Sequence, residues 1–226
     1  MVDIASNLNT LRKLLPTEVC LVAVSKTKPA SDLLIAYNLG QRIFGENRIQ
    51  ELLIKKDKLP DDIEWHFIGH LQTNKVKFIV PFISLIQSVD SVKLLKTINS
   101  EAYKNGRKVD CLLQLHIATE ETKFGFNADE VHAFLKSDEY KTLNNIRVCG
   151  MMGMATFTED DGLIKKEFSY LAKQFFEIKK TYFLDKTSFK ELSMGMSGDY
   201  KIALAEGSTM IRLGSSVFGE RQKASL

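Results

Sequence analysis

The sequence predicts an α/β fold, a single-domain (β/α)8 TIM barrel carrying an extra helix at its amino end. Three observations carry that expectation. Short β-branched runs alternate with helix-length amphipathic segments along the whole chain, eight such runs can be drawn, and 226 residues lie near the lower end of what this architecture uses. Parallel neighbours need a crossover, normally a right-handed helix, so the alternation implies a parallel sheet. A doubly wound open sheet is the alternative, although no G-x-G-x-x-G follows the first strand.

The chain opens on an amphipathic helix within residues 1–17, with Ile4, Leu8, Leu11 and Leu15 on one stripe for packing against the barrel. "VCLVAVSK" reads as the first strand and "SDLLIAYNLG" as its crossover helix, capped by Ser31 or Asp32 and closed by Gly40. "QRIFGEN" and "RIQELLIKKDKL" form the second unit, "IEWHFIG" is the third strand, and "SLIQSVD" precedes the helix "SVKLLKTINSEAYKNG", which Gly106 ends. "KVDCLLQLHI" is followed by the helical "NADEVHAFLKSDEY", and "NIRVCGMMGMAT" by a long helix from about Asp160 to Phe183. "KELSMGM" and "STMIRLGSSVFG" complete the eight. The four prolines are scattered and no low-complexity tract or charge block interrupts the pattern, so residues 1–226 are expected to form one domain.

Composition narrows the function classes. At 44% hydrophobic and 26% charged residues the chain has the balance of a globular protein with a sizeable core. A net charge of +3, with basic residues dispersed among acidic ones, gives no footprint for nucleic acid or an anionic membrane. No apolar run is long enough to cross a bilayer, and the opening residues lack the features of a secretory signal, so a cytoplasmic protein is expected. Cys20, Cys111 and Cys149 are far apart without C-x-x-C spacing and are expected to be packing thiols. His66 and His70 are four apart, but "HFIGH" reads as strand running into loop, so no metal site is expected. The methionines at 151, 152 and 154 read as adaptable packing.

In this architecture the reactive groups come from the carboxyl ends of the strands, with phosphate often bound near the loops after strands seven and eight. Those loops read "MGMSGD", with Gly195, Ser197 and Gly198, and "IRLGSSVFG", with Gly214, Ser215 and Ser216. Glycine admits a ligand close to the backbone, serine offers a hydroxyl, and unpaired N–H groups complete an anion cradle. Strand closure makes the eighth strand a neighbour of the first, whose end carries Lys26 and Lys28. The two lysines share strand parity, but Lys26 follows directly on the apolar run, whereas Lys28 precedes Pro29 and reads as a solvated loop residue. A lysine partly desolvated at a barrel mouth has its ammonium form disfavoured, which frees the amine to condense with an aldehyde. Beside a phosphate cradle the natural aldehyde also carries a phosphate: pyridoxal 5'-phosphate (PLP) has both groups, and Arg212 is placed to reach its pyridine nitrogen. The plainer alternative pairs Lys26 with a carboxylate such as Glu46.

"LVAVSKTKP", "FGENRIQE", "WHFIGHLQTNK" and "LSMGMSGDYKIALAEGSTMIRLGSSVFGER" resemble, in order and spacing, the YggS/PROSC family of PLP homeostasis proteins over nearly the whole chain after the first helix. The resemblance implies a barrel similar to the amino-terminal domain of alanine racemase. It implies that Lys26, in the S-K-x-K-P motif, holds PLP as an internal aldimine, that Arg212 faces the pyridine nitrogen, and that Ser197, Gly214 and Ser215 bind the phosphate. Asn47 in "FGEN" and His66 in "WHFIGH" match motifs near the ring. Two departures stand out: His116 where the family usually has asparagine, and "GMM" at Gly150 to Met152 where it has "GLM". His116 either tunes the ring face or is satisfied by backbone.

A PLP enzyme also needs a group that accepts and returns the substrate's α-proton. The alanine racemases take one such base from a second, β-rich domain, which is expected to be missing here, and an arginine opposite the pyridine nitrogen weakens the ring as an electron sink. The expected function is therefore a monomeric PLP carrier or buffer in vitamin B6 homeostasis, without robust catalysis, serving PLP-dependent apo-enzymes. Two enzymatic alternatives are a small PLP-dependent racemase with a local tyrosine or lysine base, and a class I aldolase with Lys26 as the Schiff-base amine.

Overall fold

The structure, a computed structural model, describes residues 2–120 and 124–220. Arg221, which ends the "FGER" motif, and residues 121–123 of the "QLHIATEETKFG" stretch lie outside the described residues. The elements run α1 (Ile4–Leu14), β1 (Cys20–Val24), α2 (Ala30–Asn38), β2 (Ile43–Glu46), α3 (Ile49–Lys56) and β3 (Glu64–Phe67). After a 3-10 turn (Thr73–Lys75) come α4 (Val76–Ile79), β4 (Leu85–Val89), α5 (Val92–Lys104), β5 (Val109–Gln114), α6 (Ala128–Lys136) and α7 (Asp138–Lys141). The chain continues through β6 (Ile146–Met152), α8 (Asp161–Tyr182), β7 (Glu191–Ser193), α9 (Tyr200–Ala205), β8 (Met210–Leu213) and α10 (Ser215–Phe218).

The eight strands pair in chain order, all parallel, and close where β1 meets β8 with Val22 opposite Arg212 and Ala23 opposite Leu213. This is the (β/α)8 barrel that the alternation predicts, and its strands are the eight expected ones in shorter form. Two layers of packing hold it. Outward-facing strand residues such as Ala23, Phe44 and Ile211 join the apolar stripes of the helices in one large cluster. Inside the barrel Val22, Leu85, Leu112, Cys149, Met152 and Met210 form a second, smaller one. Alternation along each strand therefore points 22, 24 and 26 inward on the first strand line and 210, 212 and 214 inward on the last.

Local chemistry sets the helix ends. Asn127 and Glu130 form a reciprocal capping box on α6, Ser91 caps α5 and Asp160 caps α8. Gly40 and Gly106 follow α2 and α5 at φ 88° and 61°. The expected cap at Ser31 or Asp32 is displaced: Pro29, already extended at φ −70°, is the N-cap of α2, and both polar residues fall inside the first turn. "SSVFG" is likewise helix and not strand. Val217 and Phe218 are both buried within α10, and Gly219 at φ 69° ends the turn.

Because α10 is only four residues long, α1 fills its place in the outer ring, packing against both α10 and α2. Asn7 donates to the Val217 carbonyl at 3.0 Å and Arg12 to the Leu39 carbonyl at 2.6 Å. Gly150, at φ 155°, sits where the register of β5 and β6 shifts by one residue, and a Cβ there would lie 1.8 Å from the Glu191 carbonyl oxygen. Burial pushes the Cys20 thiol up to about 12 and, with the Asp110 charge, that of Cys149 to about 11, which makes both poor nucleophiles. Among the described residues no helix is long and apolar enough to cross a membrane.

Candidate functional site

A cavity of about 600 Å3 opens at the carboxyl ends of the strands. Lys26, Asn47, Ser197, Arg212, Gly214 and Ser215 all line it, so six of the seven residues singled out from sequence converge on one space. Lys26, Asn47 and Gly214 arrive by inward parity on a strand line prolonged one or two residues past the strand end, Arg212 points inward from within β8, and Ser197 and Ser215 come from the loop after β7 and the start of α10.

On one side the Gly214 and Ser216 N–H groups donate to Ser197 Oγ at 3.3 and 3.4 Å. Two backbone donors thus converge on the Ser197 hydroxyl at the cavity wall, and N–H groups gathered in this way suit an anionic oxygen. At the end of β2 the Asn47 amide also lines the cavity, and its Oδ1 is buried without a hydrogen-bond partner. Arg212 is buried to 3% exposure, and its guanidinium donates to Ser193 Oγ at 2.6 Å and to the Gly153 carbonyl at 3.0 Å. Burial lowers its pKa to about 10, the Asp199 charge opposing, so Arg212 stays cationic at neutral pH. Anion donors, an arginine and a lysine amine around one cavity fit a phosphate-bearing aromatic aldehyde.

Behind Arg212 runs a line of polar groups. Ser193 donates to Gln87 Oε1 at 2.7 Å, and Gln87 Nε2 lies 3.0 Å from His66 Nδ1. His66, expected near the ring, is buried in the barrel interior at 4% exposure and does not line the cavity. Burial drives its pKa from 6.5 down to about 3, so the imidazole is neutral. Gln87 and Ser193 are residues that the sequence reading passed over. Their signal is a polar side chain at inward parity inside an otherwise apolar run, "SLIQSV" and "ELSM".

One further expectation is corrected and two alternatives are decided. Lys28 is no solvated loop residue: it is half-buried, and its Nζ donates to the carbonyls of Phe218, Gly219 and Glu220 at 2.7, 3.0 and 3.1 Å. It caps the end of α10, whose unpaired carbonyls attract a cation. Glu46 faces outward on β2 towards α3 and pairs with Lys55 at 2.5 Å, whereas Lys26 lines the cavity. His116 takes the backbone alternative, with Nε2 2.9 Å from the Glu120 carbonyl, and does not line the cavity. Gln114, two residues earlier, lines it instead. His70 stands on the rim, 2.8 Å from Asp90 and stacked on Phe124 at 3.9 Å, so the two imidazoles of "HFIGH" serve different partners. Among the described residues no three His, Cys, Asp or Glu groups converge as metal ligands.

Comparison with known proteins gives a consistent result. The family model for the alanine racemase N-terminal domain matches residues 2–222. A pyridoxal phosphate homeostasis protein of Aquifex aeolicus is 38% identical over 204 residues, covering 89% of this chain and 87% of its own. That of Homo sapiens is 39% identical over 211 residues, covering 89% and 76%. The structure of PipY from Synechococcus elongatus with PLP bound superposes with a TM-score of 0.87 at 35% identity, covering 96% of this chain and all of that one. An alanine racemase of Clostridium difficile, 16% identical and covered to 57% of its length, shares the fold with a TM-score of 0.70.

Proposed function

We propose, since the chain belongs to the alanine racemase N-terminal domain family and to its pyridoxal phosphate homeostasis proteins, that it binds PLP in this cavity through Lys26 and takes part in PLP homeostasis as a carrier. The observation that carries this reading is the convergence of a lysine, an arginine and an anion cradle on one opening. PLP supplies an aldehyde that condenses reversibly with a primary amine, and a phosphate that anchors it. Lys26 is the attachment point, and Ser197, Gly214 and Ser215 grip the phosphate. Arg212, a donor only, faces the ring nitrogen and keeps it unprotonated. Asn47 would help to hold the ring from the end of β2, and His66 would act on Arg212 through Gln87 and Ser193.

What favours a carrier over a racemase is the composition of the wall. Among the described residues that line the cavity there is no tyrosine, and Lys28 is committed to three carbonyls. Beside Lys26 itself, the described lining residues therefore offer a bound amino acid no second base of either expected type. The working unit is a monomer, and the recipients of the cofactor are PLP-dependent apo-enzymes. Borohydride treatment of the PLP-loaded protein followed by peptide mass spectrometry tests the site. A pyridoxyl mass on Lys26 is expected; one on Lys28, or none, overturns the assignment. Sustained loss of optical activity from a pure L-amino acid, abolished by Lys26→Ala, would replace the carrier with an enzyme.

A further inference from the structure

The two residues flanking Lys26 are held by their main chains from a single helix. Lys55 Nζ on α3 donates to the Ser25 carbonyl at 2.8 Å, and Glu51 Oε2, one turn earlier, accepts from the Thr27 N–H at 2.7 Å. The two side chains also meet each other at 3.3 Å. Lys55 reaches Glu46 Oε1 as well, and the Ser25 hydroxyl donates to that same oxygen at 2.6 Å. Lys55 and Glu46 are 7% and 0% exposed in their side chains, and Glu46 Oε2 is buried with no hydrogen-bond partner. An ion pair buried this deeply, with an acceptor left over, is a weak source of stability, because desolvation offsets the attraction. It needs another reason to be there.

That reason stands at Thr27. Its φ of 65° is the only positive value at a non-glycine among the described residues, and a β-branched side chain is disfavoured there. Such a conformation persists only where the surroundings over-determine it. Here they do so from both sides, with Glu51 on its N–H and Lys28 N donating back to the Ser25 carbonyl at 3.0 Å. The left-handed residue reverses the chain directly after Lys26, so that Lys26 keeps the inward parity of β1 while the backbone leaves for α2.

We propose that Glu51 and Lys55 are positioning residues for Lys26, Glu51 by holding Thr27 in its left-handed conformation and Lys55 by fixing the Ser25 carbonyl. The inference rests on Lys26 as the PLP attachment point. It requires that the role of Glu51 be conformational, and therefore replaceable by a residue that adopts positive φ unaided. Glycine does so.

The test is a rescue experiment. Glu51→Ala removes the acceptor for Thr27 and leaves Lys55 paired with Glu46; Thr27→Gly is then added to it. In the ligand-free protein, NMR chemical shifts of residue 27 report its backbone conformation, and absorbance titration with PLP reports affinity. Glu51→Ala is expected to move those shifts out of the left-handed range and weaken PLP binding roughly tenfold, the worth of a charged hydrogen bond. The T27G/E51A protein is expected to bind within about threefold of the original chain. Unchanged shifts and affinity in E51A, or a double variant that folds and still binds weakly, overturns the proposal. If E51A alone does not fold, the double variant decides by the same criterion, and its failure to fold counts against the proposal. Because the shifts are read without PLP, a chain that takes no cofactor on Lys26 refutes the functional reading separately.

Discussion

Arg212 donates to the Ser193 hydroxyl at 2.6 Å inside the barrel, and that contact fixes the direction of every hydrogen bond behind it. A guanidinium can only donate, so Ser193 accepts there and gives its own proton to Gln87 Oε1; the amide nitrogen of Gln87 then donates to His66 Nδ1. The His66 proton is thereby placed on Nε2. Ser193→Ala should leave the buried guanidinium short of a partner and cost about 2 kcal/mol in urea unfolding. Nitrogen-15 shifts of His66 should report the Nε2–H form alone in the original chain and a mixture in the variant.

His66 also sets a pH dependence. Its folded-state pKa of about 3 lies below the 6.5 of an unburied imidazole, so between those values the unfolded chain binds a proton that the folded one refuses. The stabilisation is complete above pH 6.5 and shrinks as pH falls towards 3, by up to about 1.4 kcal/mol per unit. Urea midpoints measured from pH 7 to 4 should carry this slope, and His66→Gln should remove it.

Lys28 ties the turn after β1 to the end of α10 through three carbonyls. Lys28→Met should cost about 1–2 kcal/mol, seen as a fall of several degrees in Tm. The same variant should still take a pyridoxyl mass on Lys26, which separates the bolt from the attachment point.

Gly150→Ala should be among the most damaging single substitutions in the chain. The methyl group would overlap the Glu191 carbonyl, and φ 155° is closed to a side chain. A loss of more than about 4 kcal/mol, or no soluble folded protein, is expected; circular dichroism and yield measure it.

The barrel was legible because strand and helix periods differ and because crossover chirality leaves few topologies. The site was legible where chemistry and parity coincide: Lys26, Asn47, Arg212 and Gly214 lie on inward lines just past the apolar runs that carry them. Misreadings came where a local pattern had two meanings. "SSVFG" follows the apolar run of β8 without a proline or charge to end it, yet it turns after Gly214 and packs on α1. Lys28 shares parity with Lys26, and only the approach of α10, remote in sequence, shows that its ammonium has carbonyls to meet. Gln87 and Ser193 were hidden because a polar residue in an apolar strand reads as tolerance until the facing strands bring its partners within reach.

The junction of β1 and β8 joins the two ends of the fold, and the proposed ligand straddles it, bonded to Lys26 on one stave and held by Gly214 and Ser215 on the other. A cofactor so placed works as a clasp: it draws on free energy that the chain gains only when its first and last strands are zipped together. Each tenfold rise in free PLP above its dissociation constant should therefore add about 1.4 kcal/mol against unfolding. With the proposed ligand bound there, vitamin supply and persistence of the folded chain would be coupled at that one seam.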